Sequence, residues 1–483
     1  MKLVVLIFLI LSSLVASYPG IRTSLSMSSL NEFLQAKLPK VVSEVLASKI
    51  PDIKFSKNFL GIPISLKLSK IEISTLSIDT SNAEFTTTDQ GQLLLTLPHF
   101  NLLVEGIYTY YIPFPISEYF NITMIDCNVV LPTTISTLKN GLVQVKVSPL
   151  EGDLSTLTID IIPKNTISTI WVTISHLWPL SIYTNKVVVN LVDSISTRLN
   201  PYLEKFFNSI KYTDQIGKLP IVGDYHFFNI DLTKDTIEAE VNGTFFLINA
   251  PGQKSNVIPP STLPDIIGMA PIRVQFTEYY FDSLMWALYF SGGLSFYIKS
   301  EDMPDDVPYV FTTTGLSKIA PNLPNVYGQN IPVDLQCSVY KVPVVTILQS
   351  VYISASVNCN FIVRISSINK VTAFTVISQL NTRIEASIKN QNGGIYVIPS
   401  LDNGNTDFTD FSLINSKIGS FSLSKMISAF NYYVYAIVLD ANNFFESSGM
   451  ILPLPEGLQA EKVNFNTYIG GVEIDFDPVF VDS

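Results

Sequence analysis

Residues 18–40 read YPGIRTSLSMSSLNEFLQAKLPK, and the reading of this stretch decides what the rest of the chain is for. A Pro-Gly step gives way to small and apolar residues and then to a helical pattern. Leu30, Leu34, Leu38, Val41, Val42, Val45, Leu46 and Ile50 recur at three- and four-residue spacing, which predicts a helix over 30–50 with one continuous apolar face. Pro39 interrupts the pattern and predicts a kink or a restart. Such a face needs an apolar partner: the protein's own sheet, or something the protein carries.

Upstream, Lys2, the apolar run LVVLIFLIL and the small-residue close VAS form the pattern of a signal peptide cleaved after Ser17. The run is too short to span a bilayer, and no later stretch reaches eighteen consecutive apolar residues. The expectation is a released protein, secreted or held in the lumen of secretory and endolysosomal compartments. Two sequons, Asn121-Ile-Thr and Asn242-Gly-Thr, are candidate glycosylation sites.

With 483 residues the chain is long enough for two domains with sizeable cores. Hydrophobic residues make up 47% and charged ones 15%, and mean hydropathy is +0.32. That is apolar for a chain without a membrane span, so either the cores are large or some apolar surface faces a ligand. Net charge is −11 and both halves are acidic, which excludes a nucleic-acid partner because phosphate neutralisation needs basic clusters. Only KFSKNFLGIPISLKLSK is locally basic, through Lys54, Lys57, Lys67 and Lys70. Cys337 and Cys359 lie on two alternating apolar segments that pair readily as neighbouring strands and are the candidate disulfide, leaving Cys127 over.

From Ile53 to about Ile162 the chain alternates and is rich in β-branched residues, predicting a meandering antiparallel sheet. A second helical stretch runs from about Ile167 to Phe207, interrupted at Trp178–Leu180 and at Asn200-Pro201. Residues 249–271 carry five prolines and are the candidate linker. The second half replays the plan: a short apolar helix at EYYFDSLMWALYF, strands from Gly293 to Ser420, and a long helix from about Leu423 to Glu446. No sequence repeat accompanies this recurrence of element order.

Chemistry is sparse. His99, His176 and His226 have no neighbouring cluster of carboxylates or cysteines, and no nucleophile elbow, phosphate-cradling glycine loop or HExxH is present. The carboxylates are scattered, and no acid–base pair stands out. The expectation is a protein that is not an enzyme, with no metal and no cofactor. What remains is apolar surface, and a groove between a long amphipathic helix and a curved sheet admits acyl chains at roughly 0.8 kcal/mol per buried methylene.

YPGIRTSLS, SKIPDIKFSKNF and NPYLEKFF resemble the amino-terminal domain of the bactericidal/permeability-increasing and lipopolysaccharide-binding protein family, which includes phospholipid and cholesteryl ester transfer proteins. FTEYYFDSLMWALYFSGGLSFYIKSEDMP and GMILPLPEGLQAEKVNFNTYIGGVEIDF resemble later blocks of the same family, in family order. The resemblance implies an α+β boomerang of two barrel-like domains, each a long helix wrapped by a strongly twisted antiparallel sheet, joined by a central sheet. The implied boundaries are 1–17 for the leader, 18–248, a linker at 249–271, and 272–483. It also implies a bound phospholipid in each domain and peripheral encounters with membranes or lipid particles.

On this basis Ile21, Leu25, Leu30 and Leu34 are expected as pocket walls on the first helix, with Ile174, Leu177 and Leu191 on the second. Phe281, Leu284, Met285 and Leu288 are expected to face Phe430 and Val434 in the second domain. The family's amino-terminal disulfide has no counterpart, since LEGDLSTLTI and NKVVVNLVD lack cysteine. Its basic tip is also missing: the corresponding hairpin, GIYTYYIPFPISEYF, offers Tyr108, Tyr110, Tyr111, Phe114, Tyr119 and Phe120 as candidate membrane-contact residues. Lys54, Lys57, Lys67 and Lys70 are the candidates for an anionic headgroup. The readings carried forward are a phospholipid carrier, a lipopolysaccharide-binding defence protein, and a structural or adhesion protein with filled cores.

Overall fold

The structure is a computed structural model and describes residues 20–59, 62–88, 91–112, 114–148, 158–162, 195–209, 213–215, 219–250, 270–302, 309–391, 394–421, 423–431, 438, 442, 450–452, 454 and 458–480. The proposed leader, most of the Pro-rich linker and much of the second helical stretch lie outside these residues.

Strand β1 (Ile21–Ser26) runs straight into helix α1 (Met27–Leu46). The expected first helix therefore starts later than Ile21 and stops before Ile50, which bridges Ile71 instead. A mostly antiparallel meander follows: β2 (Ile53–Phe59), β3 (Ile62–Ser77), β4 (Glu84–Thr87), β5 (Leu93–Ile112), β6 (Phe114–Thr137), β7 (Val143–Val147) and β8 (Thr158–Ile162). They form one sheet in the order β2-β3-β5-β6-β7, with β4 on β5 and β8 on β6.

Bulges curl this sheet. Lys70, His99 and Asp126 have positive φ and sit where the β3–β5 and β5–β6 registers slip by one residue. Each slip also reverses which residues face inward. On β5 the buried set is Leu93, Leu95 and Leu97 before the slip, then Phe100, Leu102 and Val104 after it. On β6 it changes from Phe120, Ile122 and Met124 to Cys127, Val129 and Leu131. Two strands of 20 and 24 residues thereby keep an apolar concave face from end to end.

Helical residues 195–208, here α2, precede β9 (Thr213–Gln215), β10 (Ile221–Asp224), β11 (Phe227–Leu232), β12 (Thr236–Val241), β13 (Thr244–Leu247) and β14 (Ile272–Thr277). β14 leads into α3 (Glu278–Phe290). Then come β15 (Ser295–Ile298), α4 (Leu323–Tyr327), β16 (Val333–Val339), β17 (Val344–Ile347), β18 (Val351–Arg364), β19 (Lys370–Gln391) and β20 (Gly394–Ser416). Helical residues 424–431, here α5, precede β21 (Met450–Leu452), β22 (Leu458–Tyr468) and β23 (Gly471–Phe480). The sequence reading expected many strands between Gly293 and Ser420, and β15 to β20 fall there. Residues 309–332 instead make a single helical turn at Gly315–Lys318 and then α4, because proline at the helix start favours a helix and denies a strand its ladder donor.

β15-β16-β18-β19-β20-β21 form a second curled sheet, with β17 on β18. Cys337 and Cys359 face each other in the β16–β18 register and are joined by a disulfide, while Cys127 is buried in the first sheet. A six-stranded sheet, here the central sheet, runs β11-β12-β1-β14-β23-β22, and β9, β10 and β13 form a small three-stranded sheet. One large apolar cluster fills the first sheet and reaches β22, β23 and α3, and another fills the second sheet.

Candidate functional site

Ser26 ends β1 in an extended conformation, and its Oγ accepts the Ser29 N–H at 3.2 Å, an N-cap that starts α1. Met27, Leu30, Leu34, Leu38, Val41 and Val45 then form a buried stripe. Six such side chains at roughly 1.5–3 kcal/mol each outweigh the roughly 3 kcal/mol cost of a proline, so α1 continues through Pro39.

α1 and α2 hydrogen-bond to two strands at the margins of the curled sheet, β4 and β7. From α1, Asn31 Nδ2 donates to Phe85 O at 3.3 Å, and its Oδ1 accepts the Phe85 N–H at 2.6 Å. Gln35 adds a bond to Ala83 O at 3.2 Å, so β4 has a partner on its outer side. From α2, Asn200, Glu204 and Asn208 accept the N–H groups of Val147, Val145 and Val143 at 3.0, 3.3 and 2.8 Å, one helical turn matched to each two-residue step of β7. Tyr202 ties the helices together by donating to Glu44 Oε1 at 2.7 Å, a bond that raises the phenol pKa above its ordinary value.

The enclosed interior is apolar. Leu30, Leu34 and Leu38 of α1 join Ile195, Leu199, Leu203 and Phe206 of α2 over Leu93, Leu95 and Phe85 of the sheet, all buried. At one end three rings from distant parts of the chain meet: Phe33 lies 4.4 Å from Phe206 and 5.6 Å from Phe480 of β23. This interior has the makings of a hydrocarbon site. Among the described residues no group of three or more His, Cys, Asp or Glu is placed to hold a metal ion.

Leu30 and Leu34 line this interior. Ile21 and Leu25 sit on β1 and not on the helix, paired with Phe276 and Ile272 across the central sheet, because the extended Ser26 cap puts the strand-to-helix break after them. Ile21 is buried in the same apolar cluster and Leu25 packs against it. Ile174, Leu177, Leu191 and Val434 lie outside the described residues. Phe281, Leu284, Met285 and Leu288 are half-buried on α3, packed against the first cluster and against Val345, Ile347 and Val351. Phe430 does not face them. It belongs to the second sheet's cluster, with its ring 5.3 Å from Phe411 and 5.5 Å from Phe408. The ring cluster of Phe33, Phe206 and Phe480 escaped the sequence reading, since nothing in the sequence brings β23 to α1.

The β5–β6 hairpin alternates, and so do its aromatic rings. Tyr108 and Phe120 are 4% exposed and face inward, which removes them as membrane-contact residues; Tyr111 and Tyr119 are 44% and 49% exposed on the outer face. The side chains of Tyr110, Phe114 and Lys57 lie outside the description. Lys54 stands opposite Lys67 in the β2–β3 register, and Lys67 Nζ lies 2.6 Å from Asp52 Oδ2. That hydrogen bond raises the Lys67 pKa and lowers that of Asp52, so Lys67 is already neutralised locally. Lys70 occupies the bulge with φ 52° and is exposed.

Asn121 is partly exposed on β6. Asn242 donates to Asp224 Oδ2 at 2.7 Å and accepts from Thr244 Oγ1 at 2.5 Å.

Compared with known proteins, residues 221–477 match the model of the LBP / BPI / CETP family, C-terminal domain. The crystal structure of lipopolysaccharide binding protein superposes with a TM-score of 0.53 at 15% identity, covering 96% of this chain and 100% of that one. P47 from Clostridium botulinum A2 aligns over 95% of this chain and 97% of its own at 10% identity, with a TM-score of 0.26 that carries no weight for the fold. No curated protein sequence matches this one. The likeness to lipopolysaccharide binding protein spans the described chain and concerns the fold: curled sheets, few helices, and long helices laid along them.

Proposed function

This chain belongs to the LBP / BPI / CETP family, and from that premise we propose that it is a lipid carrier that holds phospholipid acyl chains between α1, α2 and the first curled sheet and passes them between membranes or lipid particles. The observation that carries the reading is the buried apolar cluster between the curled sheet and two helices that hydrogen-bond to β4 and β7 and turn Leu30, Leu34, Leu199 and Leu203 inward. Hydrocarbon gains from such a site by leaving water. The family's two-domain boomerang, with domains 18–248 and 272–483 joined through 249–271, is the proposed arrangement. Each domain carries a lipid, the second against the apolar face of the second curled sheet that Phe430 joins. The protein is proposed to be secreted, to need no metal or cofactor, and to meet membranes peripherally. No helix among the described residues is long and apolar enough to cross one.

The hairpin supports a phospholipid ligand over lipopolysaccharide. Recognition of lipid A phosphates needs free cations. Its exposed side chains include Tyr111 and Tyr119 and no lysine or arginine, and the nearby Lys67 is held by Asp52. Native mass spectrometry of the purified full chain, with lipid extraction from the same sample, tests the reading. One or two phospholipids per chain are expected, together with transfer between labelled and unlabelled liposomes. Tight lipopolysaccharide binding lost on Lys54→Glu/Lys70→Glu would favour the defence-protein reading. A chain that carries no lipid and takes none from liposomes would mean filled cores and a structural or adhesion role.

A further inference from the structure

The far end of the second curled sheet carries a surface that the enclosed interior does not explain. β18 turns into β19 through residues 365–369. At the same end β20 finishes at Ser416, opposite Phe374, and the Lys417 N–H donates to Ala373 O at 2.8 Å. Residues 309–332 plug this end with Phe311, Leu316, Ile319 and Leu323 and are fastened there by Val333 N–H to Phe311 O, Arg364 N–H to Pro332 O, and Asn322 Nδ2 to Ile418 O at 3.1 Å. Outside the plug, apolar side chains face solvent. Ile368, at the β18–β19 turn, is 95% exposed, and Val310, Val326 and Ile365 are 58%, 51% and 46% exposed. Single exposed aliphatic side chains are ordinary, but four at one end of one sheet need a reason.

The plug and the segment after β20 also form a cleft of about 160 Å³, whose lining includes Ile319, Ile418 and Phe421 together with Lys318, Asn322 and Lys425. Lys417 is exposed on the adjoining segment. The carboxylates Glu301 and Asp334 at this end are engaged by Arg364, with Lys370 also 3.9 Å from Asp334. No described carboxylate pairs with Lys318, Lys417 or Lys425, in a chain whose net charge is −11. The cleft is smaller than the roughly 300–1,000 Å³ of a site that swallows a whole small ligand, and it suits a headgroup-sized anion with lipid remaining outside.

We propose that this end of the second sheet docks on bilayers containing anionic phospholipid, with a headgroup phosphate held in the cleft between Lys318 and Lys425 and the Ile365–Ile368 turn entering the interfacial layer. Each part needs the other. Lysines draw the end to a negatively charged leaflet over a screening length of about 8 Å. The isoleucines hold it there by burying apolar area, which a soluble phosphate does not offer. The proposal is independent of whether acyl chains occupy the interior, because these residues lie outside it.

Co-sedimentation of the full chain with phosphatidylcholine vesicles, with and without phosphatidylglycerol, is the test. Binding is expected on the mixed vesicles and to weaken with salt. Lys318→Glu/Lys425→Glu is expected to reduce it at least about tenfold, and Ile365→Ser/Ile368→Ser to reduce it on both vesicle types. Lys139→Glu, an exposed charge change on the first sheet's side, is the control and should change little. All four side chains changed in the two test variants are exposed, so folding is expected to survive. Equal binding to both vesicle types, an unchanged affinity for the lysine variant, or inorganic phosphate bound by a chain that ignores vesicles would each overturn it. Native mass spectrometry of the same variants reports interior lipid separately, so failure here and failure of the carrier reading are distinguishable.

Discussion

The two halves of the molecule build the same frame from different residues. Across the β1–β14 pair the central sheet reads alike in both directions: β1 pairs with the β11–β12 hairpin, β14 with the β22–β23 hairpin, and each runs directly into a helix. The first amide of α1 donates to Asp235 O in one hairpin turn, and the first amide of α3 donates to Gly470 O in the other. The Ser26 N–H donates to Pro271 O and the Thr277 N–H to Gly20 O. In both halves the first helix caps a short edge strand and the second caps the opposite edge. The chemistry of the caps differs. α1 uses the amides Asn31 and Gln35 on β4, whereas α3 uses carboxylates, Glu278 on Ile347 N–H at 2.6 Å and Asp282 on Val345 N–H at 3.0 Å. On those edges the solution converges: Asn208 of α2 makes two bonds to Val143, and Asn442, beyond α5 in the chain, makes two to Leu401. The frame is thus specified by where a donor or acceptor must stand, and any side chain that reaches will serve.

The largest effect that would separate the halves is expected at Leu34. Leu34→Glu buries an unpaired charge between α1 and the sheet and should destabilise the protein by about 4 kcal/mol or more, with loss of lipid from the first half only. Phe430→Ala, at about 3–5 kcal/mol, should spare that lipid. Denaturant unfolding with lipid counting on each variant reads both. Next comes the disulfide. Cys337→Ser with Cys359→Ser opens a loop closed over 22 residues and should remove about 3 kcal/mol. Hydrogen exchange should quicken in β16, β18 and β19 and stay unchanged in β5 and β6; equal loss in both sheets would mean that the halves unfold as one unit.

Smaller still, Asn208→Ala and Asn442→Ala each leave one edge N–H without its acceptor, at about 1–3 kcal/mol. If the frame is truly shared, the two losses should agree to within about 0.5 kcal/mol. The smallest effect is a pH signature confined to the carboxylate caps. Burial raises the Asp282 pKa above 3.8, with the Val345 N–H opposing it. Ionising it therefore costs more in the folded chain than in the unfolded one. Its stabilising contribution is whole below pH 3.8 and is lost as pH rises through the folded pKa. Asp282→Asn should gain stability over the parent at neutral pH, and that advantage should shrink on acidification toward pH 3.8. An advantage independent of pH would place the effect in geometry and not in charge.

Much of this was legible. The stripe on α1, the strand-rich run after Ile53 and the facing pair Cys337–Cys359 follow from periodicity and spacing. β1 was not, since Ile21 and Leu25 are four apart and continue the helical pattern into Leu30 and Leu34; only the serine cap at Ser26 marks the break. The sequence reading offered all six rings of the β5–β6 hairpin as membrane contacts, although the pairing there runs without a slip and strand alternation alone puts Tyr108 and Tyr111, and Tyr119 and Phe120, on opposite faces. The bulges at His99 and Asp126, by contrast, leave no signature in composition. The likeness of the halves stayed hidden for a further reason. It lies in backbone pairings, and the side chains that complete it were never required to match.

The ring of Phe480 against that of Phe33 has a consequence for how the protein is made. At about 5–20 residues per second, roughly 20 to 90 seconds separate the synthesis of these two phenylalanines. During that interval β1 waits for β14, and the apolar stripe of α1 waits for the last strand to complete its enclosure. The first part of the chain to emerge is among the last to be finished, so a nascent chain must shield that stripe until its own end arrives.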